Sequence, residues 1–269
     1  MTVPIVLVAL DGSKGAQGVL PIARRLAALT KAHLRILHVT EAARPLHETA
    51  GALGLAPSDL RGATLECRSG SPAEAIGAAA NACASRLIVM GSPAGPGGAS
   101  ETTSETTWAV LRGAACPVVL VDPAMAPAGW DLRRMLALHD GSPAVSQALA
   151  PVAELARAAG AEFVVLQVAT DACAEEAGSI APPAYVDQVQ YSWPGWSAEF
   201  VHRLASICSL ADVRLRLRLA HGEPADEMVR TAREESADLV VLAWSEATSA
   251  SSLQALLQGA PCPVMVTRA

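Results

Sequence analysis

The sequence contains an internal repeat, since five short segments of its first half return in the same order in its second half. The pairs are LVALDGS (7–13) with LALHDGS (136–142), LRILHV (34–39) with FVVLQV (163–168), GSPAEAI (70–76) with GEPADEM (222–228), RLIVMGS (86–92) with DLVVLAW (238–244), and CPVVLV (116–121) with CPVMVT (262–267). A repeat of this kind predicts two copies of one domain, which suits a chain of 269 residues.

The distances between paired segments show where the two copies differ. The offset is 129 residues for the first two pairs, 152 for the next two and 146 for the last. The second copy therefore gains 23 residues (152 − 129) after its second strand and loses six (152 − 146) after its fourth. The gain, near 171–197, holds Tyr185, Tyr191, Trp193 and Trp196. We keep two interpretations of these aromatic residues, a lid or wall of a ligand site and a helical extension that packs over the sheet edge or the partner half.

Each half alternates short runs rich in Val, Ile and Leu with helical stretches. Runs without polar alternation are typical of parallel strands that are covered by helices on both faces. The pattern predicts a doubly wound sheet whose ligand site lies beyond the carboxyl ends of the strands, where the strand order reverses. Pro21 and Pro151 should interrupt the first helix of each half. The segment DPAMAPAGW (122–130) is a predicted linker, with domains over 1–126 and 127–269.

Composition excludes several classes of protein. Apolar residues make up 51% of the chain, and the formal net charge is −6, which argues against general nucleic-acid binding. The first residues, MTVPIVLVALDGS, lack the basic start of a signal peptide and are too short an apolar run for a membrane span. Six scattered cysteines without a CxxC pair argue against a metal site or a redox dithiol and favour reduced thiols in a cytoplasmic protein.

The repeated segments resemble those of the universal stress proteins in their tandem form. VALDGS and LALHDGS stand at the first strand, LHV at the second, GSPAEAI before the third helix, LIVMGS at the fourth strand and CPVVLV at the fifth. The resemblance covers nearly the whole chain. It implies an α/β fold of two Rossmann-like (adenine nucleotide alpha hydrolase-like) five-stranded parallel sheets, packed as a pseudo-dimer. The fifth strands, VVLV and VMVT, would pair and so cover two strand edges.

The resemblance also implies a place for ATP. Members that bind ATP carry Gly-x2-Gly-x9-Gly-Ser/Thr after the fourth strand, because glycine backbones and a helix N-terminus can surround phosphates. Here Gly91 fits, the second glycine falls on Ala94 with Gly95 one place late, and the last two positions are Ser104 and Glu105. The remaining candidate residues for the nucleotide are Ala9, Asp11, Val39, Met90 and Thr106, of which Asp11 and Val39 would border the adenosine.

Glu105 is the most serious departure from that motif. A carboxylate about 4 Å from a phosphate charge costs roughly 4 kcal/mol at an effective dielectric constant near 20. Three interpretations stay open for SETT (104–107): a helix cap without nucleotide, a weakened adenine-nucleotide site, and a site for another anion. In the second case, Glu105 either turns to solvent, leaving Thr103, Ser104 and Thr106 as donors, or bridges to the phosphates through Mg²⁺.

The second half of the sequence gives less support for a nucleotide site. Its corresponding loop, AWSEATSASS (243–252), has no glycine and is six residues shorter. Trp244 takes the place where a small residue should line the phosphates, so we expect no phosphate site there. Asp140 should remain as a turn former at the strand end. His38, His139 and His221 are interpreted as polar residues of strand ends or turns, since none has a catalytic partner at a familiar spacing.

The sequence therefore predicts a non-catalytic protein of the universal stress type. It has at most one weakened site for ATP or AMP, in the first domain, with Mg²⁺ left open. The alternative is an interaction protein that needs no nucleotide. A slow ATPase is a third hypothesis, disfavoured because the loop lacks a general base and a nearby basic residue; Arg112 is the nearest arginine after it. We expect unidentified protein partners, a homodimer as one option, and neither nucleic acid nor membrane as partner.

Overall fold

The computed structural model of the chain describes residues 3–13, 16–42, 44–92, 104–123, 129–169, 193–207, 210–244 and 250–269. The chain divides into two units. The first comprises the residues up to Asp131 together with Cys262–Val266, and the second comprises Leu132–Pro261 with Thr267–Ala269. The predicted boundary near residue 126 lies outside the described residues.

The first unit is a doubly wound sheet. Its strands are β1 (Ile5–Leu10), β2 (His33–Thr40), β3 (Ala63–Ser69), β4 (Leu87–Gly91) and β5 (Val118–Val121), and its helices are α1 (Ala16–Leu29), α2 (Leu46–Ala52), α3 (Pro72–Ala82) and α4 (Glu105–Gly113). The strand order is β3-β2-β1-β4-β5, with every neighbouring pair parallel. The strand order therefore reverses between β1 and β4, as the sequence predicts.

A strand from the end of the chain completes this unit. Strand β10 (Val264–Arg268) pairs antiparallel with β5, placing Val264 opposite Leu120 and Val266 opposite Val118. This confirms the pairing of the fifth strands of the two repeats. It also supplies β5 with hydrogen-bond partners along an edge that would otherwise be open.

The second unit repeats the arrangement. Its strands are β6 (Arg134–His139), β7 (Glu162–Ala169), β8 (Arg214–His221) and β9 (Leu239–Trp244), and its helices are α5 (Pro143–Ala148), α6 (Ala150–Ala159), α7 (Trp193–Ile207), α8 (Pro224–Glu234) and α9 (Ala250–Gly259). The order is β9-β6-β7-β8, again all parallel. Pro151 lies in the first turn of α6, where its missing N–H costs nothing, whereas Pro21 lies inside α1.

The central strands bury both faces. Val6, Leu7 and Val8 of β1 are fully buried in succession, as are Met135, Leu136 and Ala137 of β6. Consecutive burial requires helices on both sides of the sheet, which explains why these runs show no polar alternation.

The prediction of strands without alternation is wrong for β8. Its sequence RLRLRLAH alternates, because β8 is the last strand in the order of its unit and its outer residues meet solvent. Arg216 pairs with Glu162 and Glu235 at 3.1 Å each, and Arg218 pairs with Glu235 at 2.5 Å. Glu162 and Glu235 hydrogen-bond these arginines, so the pKa of each carboxyl lies below its ordinary value although burial acts to raise it.

One helix contact in the second unit demands a glycine. A Cβ added to Gly259, the last residue of α9, would lie 2.9 Å from Cγ2 and 3.1 Å from Cγ1 of Val229 on α8. Valine is stiff about its first side-chain torsion, so the helices would have to separate. Gly113 ends α4 at the corresponding position of the first repeat, and a Cβ there would meet nothing within 4 Å.

We predict opposite effects of alanine at these two glycines. Gly259→Ala should lower the free energy of unfolding by about 1–2 kcal/mol through overpacking. Gly113→Ala should raise it by about 0.4–1 kcal/mol, since alanine restricts the unfolded chain and fits the helix. Urea denaturation of both variants measures the difference. Equal effects at the two positions would show that the α8–α9 contact is not as tight as described.

Candidate functional site

The structure brings four of the predicted residues together where the strand order reverses. Ala9 of β1 lies directly beside Met90 of β4 in the parallel ladder. Asp11 follows the end of β1, and Gly91 is the last residue of β4. All four therefore lie at the carboxyl edge of the sheet, at the point where open α/β sheets hold their ligands.

Val39 lies at the same edge on the neighbouring strand. The register places His38 beside Leu10, so that Val39 is one residue further along, toward Asp11. Val39 is half-buried, while His38 is buried. Nδ1 of His38 donates a hydrogen bond to the carbonyl oxygen of Leu10 at 2.7 Å. This bond ties the end of β1 to β2. His38 is thus a structural residue that fixes the position of Asp11 relative to Val39.

Asp11 forms a turn at the strand end. Its Oδ1 accepts a hydrogen bond from the backbone N–H of Ser13 at 2.9 Å. Gly12 between them has φ +80°, a conformation that favours glycine. The carboxylate is exposed, so this turn presents an acceptor group to solvent beside the crevice between β1 and β4.

The start of α4 is capped by its own side chains. Ser104 is the N-cap residue with φ −62° and ψ 150°, and its Oγ accepts from the backbone N–H of Thr107 at 3.2 Å. The hydroxyl of Thr107, a buried residue, is 2.9 Å from the same oxygen. Ser104 therefore occupies the family's glycine position without a positive φ, and one helix N–H that a phosphate would use is already satisfied.

Glu105 and Thr106 follow in the first turn of α4. Glu105 is exposed, whereas Thr106 is half-buried. A carboxylate at this position is favoured by the helix dipole by about 0.3–1 kcal/mol. The exposure agrees with the interpretation in which Glu105 turns to solvent. Ala94 and Gly95, the other two candidate residues, lie outside the described residues.

The space around Gly91 does not require a glycine at this position. A Cβ at this position would meet Val19 Cγ2 at 3.6 Å and Pro123 Cγ at 3.7 Å, which are ordinary contacts. Within the described ranges, no group of three or more His, Cys, Asp and Glu side chains is arranged to hold a metal ion.

The second unit keeps the turn but closes the space beside it. Asp140 Oδ1 accepts from the backbone N–H of Ser142 at 2.8 Å, and Gly141 has φ 88°. Ser142 in turn caps α5, its Oγ accepting from the N–H of Val145 at 3.2 Å. Asp140 is therefore the turn former that the sequence predicts.

His139, the counterpart of Leu10, fills the strand end of this unit. Its Nδ1 accepts from the N–H of Gly141 at 2.8 Å, so the neutral ring carries its proton on Nε2, which is 2.8 Å from Ser146 Oγ. The Ser146 hydroxyl donates onward to the Ser142 carbonyl at 3.0 Å. Phe200 of α7 meets the ring edge-on, with centroids 4.7 Å apart. Burial lowers the pKa of His139 to about 4, although the charge of Asp140 acts to raise it.

Sequence reasoning missed Phe200. It concentrated on Tyr185, Tyr191, Trp193 and Trp196; the two tyrosines lie outside the described residues and the tryptophans begin α7. The signal was the spacing of Phe200 and Leu204, both 1% exposed, which marks the buried face of a helix. Most of the insertion near 171–197 lies outside the described residues, so both interpretations of its aromatic residues stay predictions.

We predict that His139 makes stability depend on pH in the acid range. An unfolded histidine has a pKa near 6.5, so the unfolded chain takes up a proton before the folded one does. The contribution of His139 is complete above about pH 6.5 and should fall by about 3 kcal/mol as pH drops to about 4. His139→Leu, which copies Leu10 of the first repeat, should destabilise at pH 7 and much less at pH 4.5. Urea unfolding measures both; an unchanged difference would contradict this account.

Comparisons with known proteins agree with this architecture. The sequence model of the Universal stress protein family matches residues 3–122 and 131–268. A universal stress protein from Archaeoglobus fulgidus DSM 4304 superposes with a TM-score of 0.68 at 16% identity, covering 98% of both chains. A functionally unknown protein from Pseudomonas aeruginosa PAO1 gives 0.70 at 17% identity, covering 99% of this chain and 92% of its own. No curated protein matches the sequence.

Single-domain relatives match half of the chain. One is a universal stress protein from Archaeoglobus fulgidus in complex with dAMP, at 23% identity and a TM-score of 0.34, covering 44% of this chain and 96% of its own.

In the described part of the chain, no helix combines the length and apolar character that crossing a membrane needs. Because the family model matches both repeats, this chain belongs to the universal stress protein family, in the tandem form with two such domains.

Proposed function

We propose that this chain is a non-catalytic stress-response protein of the binding type, with one adenine-nucleotide site per chain, of reduced affinity. The site is the carboxyl edge of the first unit, and the second unit holds none. The observation that carries the proposal is the difference between two equivalent strand ends. Gly12 and Ser13, which follow Asp11, are exposed, whereas the corresponding Gly141 and Ser142 are buried where His139 packs against Phe200.

The adenosine side of the site supports binding. Asp11 presents a carboxylate that can accept a hydrogen bond from the ligand, and the half-buried Val39 offers apolar contact and backbone groups at a strand end. His38 holds these two strand ends together through Leu10.

The phosphate side supports reduced affinity and a preference for few charges. Ser104 has already satisfied the N–H of Thr107, and Glu105 adds a negative charge at the start of α4. Since Glu105 is exposed, solvent screens it, and the repulsion lies nearer 1 than 4 kcal/mol. AMP should therefore bind better than ATP. Catalysis is left out of the proposal because, among the described residues of this edge, His38 is engaged by the Leu10 carbonyl and the Asp11 carboxylate by the N–H of Ser13.

Charge pairing supports the further proposal that nucleic acid is not a partner. Two of the three arginines of β8, Arg216 and Arg218, are paired with Glu162 and Glu235, and the third, Arg214, donates to the Gly160 carbonyl. The free cysteines of the described residues, Cys67, Cys83, Cys116 and Cys262, are consistent with action in the cytoplasm. Protein partners, or a second copy of the chain, would receive the signal.

Matched variants of the two strand-end aspartates test the site. Asp11→Ala should weaken binding of AMP at least tenfold, because it removes a hydrogen-bond acceptor worth about 1.4 kcal/mol or more to the ligand. Asp140→Ala removes the same group from the second unit and should leave affinity unchanged. Isothermal titration calorimetry of the whole chain should give one site per chain. Two equivalent sites, or equal losses in both variants, would contradict the proposal.

Glu105 provides the second test. Glu105→Ser should raise the affinity for ATP about fivefold to tenfold at neutral pH, and that for AMP less, because AMP carries less charge. Glu154→Ser changes the net charge equally at an exposed position of α6 in the second unit and serves as the control. If Glu105→Ser abolishes binding in the presence of Mg²⁺, the carboxylate holds the metal instead of repelling phosphate.

The alternative function, an interaction protein without nucleotide, is favoured by the self-contained cap of Ser104 and Thr107. The same titrations decide between the two functions. If AMP, cAMP and ATP all fail to bind at millimolar concentration to both the wild type and Glu105→Ser, the glycine pattern is a relic and the nucleotide proposal is wrong.

A further inference from the structure

The first unit brings two cysteines to one edge of its sheet, opposite the candidate nucleotide site. Cys83 ends α3 as its C-cap residue and precedes β4, and Cys116 lies two residues before β5. Strands β4 and β5 are parallel neighbours with Ile88 beside Val118, and the N–H of Ile88 donates to the Pro117 carbonyl at 3.0 Å. Both cysteines therefore lie at the amino ends of adjacent strands, below two helices, α3 and α4, that pack together.

The surroundings of the two thiols leave both open to reaction at this edge. Cys83 Sγ donates to the Ala79 carbonyl at 2.7 Å and is 3.4 Å from Ser85 Oγ. Both cysteines are half-buried, which leaves them within reach of a small reagent. Burial, and after it the charge of Cys83, raise the pKa of the Cys116 thiol to about 11.

The second repeat lacks this pair. Its α8 ends at the C-cap residue Glu235, followed by Ser236 at φ 52°, just as Cys83 is followed by Ala84 at φ 45°. Glu235 is held by Arg216 and Arg218, and only Cys116 has a cysteine counterpart, Cys262. The repeat fold therefore does not need a thiol at position 83, and the absence of a CxxC motif concealed a pair formed by residues distant in sequence.

We propose that Cys83 and Cys116 are a dithiol pair that a low-molecular-weight disulfide oxidises to an intramolecular disulfide. The Cys83 thiolate attacks one sulfur of the reagent, whose S–S bond breaks and releases one thiol. The Cys116 thiolate then attacks the Cys83 sulfur of the mixed disulfide and releases the second thiol. Two cysteine protons and two electrons pass to the reagent, which is reduced to two thiols.

The bond would close the segment 84–115 into a loop. That segment contains β4 and α4, and with them Gly91, Ser104 and Glu105. Oxidation would thus restrain the part of the chain that carries the phosphate side of the proposed nucleotide site. The bond would form at the other edge of the sheet, so its formation does not depend on nucleotide binding.

The test uses the whole chain and oxidised glutathione. Peptide mapping by mass spectrometry without reductant should find the peptides of Cys83 and Cys116 linked, with a loss of two hydrogens. The closing step should accelerate about tenfold per pH unit between pH 7 and 9, because the thiolate fraction of Cys116 rises in that proportion. The melting temperature of the oxidised protein should rise by several degrees, as expected when a long loop is closed.

Three variants make the result decisive. Cys83→Ser and Cys116→Ser should abolish both the link and the rise in melting temperature, whereas Cys262→Ser should keep both. Cys67 serves as a positive control for the reagent, because its thiol should react readily. Burial acts to raise the pKa of this thiol, but the N–H of Arg44 and the hydroxyls of Thr40 and Thr49 lower the pKa below its ordinary value. Glutathione on Cys67 without any Cys83–Cys116 link would overturn the proposal.

Discussion

The parallel pairing of β1 with β4 is the constraint on which the rest of the structure depends. Because Ala9 lies beside Met90, the chain leaves both strands at the same edge, with Asp11 on one side and Gly91 on the other. The helices that follow must then cover opposite faces of the sheet, which opens a crevice between the strand ends. The second unit has the same pairing, with Ala137 beside Val241, so the same crevice is expected there.

The two repeats use this shared frame differently. Both keep the Asp-Gly-Ser turn, in which the aspartate accepts from the serine N–H. In the second unit, a histidine replaces Leu10, and α7, which follows the 23-residue gain, brings Phe200 against it. Burying a neutral histidine with both ring nitrogens hydrogen-bonded stabilises the turn, and Gly141 and Ser142 are buried there whereas Gly12 and Ser13 are exposed. The divergence is therefore between a strand end that is open and one that is filled by the protein itself.

Much of the fold could be predicted, because it is encoded in local and repeated patterns. The offsets between repeats located both copies, the apolar runs located the strands, and the resemblance located the pairing of β5 with β10. The alternation of β8 was visible in RLRLRLAH, but its meaning depended on the strand lying last in its unit. The contact of Gly259 with Val229 joins two helices that are distant in sequence, so no local pattern could predict it.

The candidate site could be predicted only in part. The register of the parallel strands brings five predicted residues to one edge of the sheet, namely Ala9, Asp11, Val39, Met90 and Gly91, and their contact with a nucleotide stays a prediction. The φ of Ser104 and its bonds to Thr107 could not be predicted, since a serine at a glycine position can adopt either a strained or a capping conformation. The contact between His139 and Phe200 could not be predicted, because it depends on the path of the chain after the insertion, and the insertion has no counterpart in the first repeat.

The central claim is that the two strand ends differ in whether a ligand can enter, and NMR of backbone amides tests it most directly. With the whole chain assigned, addition of AMP should shift the amide signals of Gly12, Val39 and Gly91, together with those of the first turn of α4. The signals of Gly141 and Ser142 should stay unchanged, because His139 and Phe200 occupy that end of the second unit. Shifts at Gly141 and Ser142 as large as those at Gly12 would contradict the account.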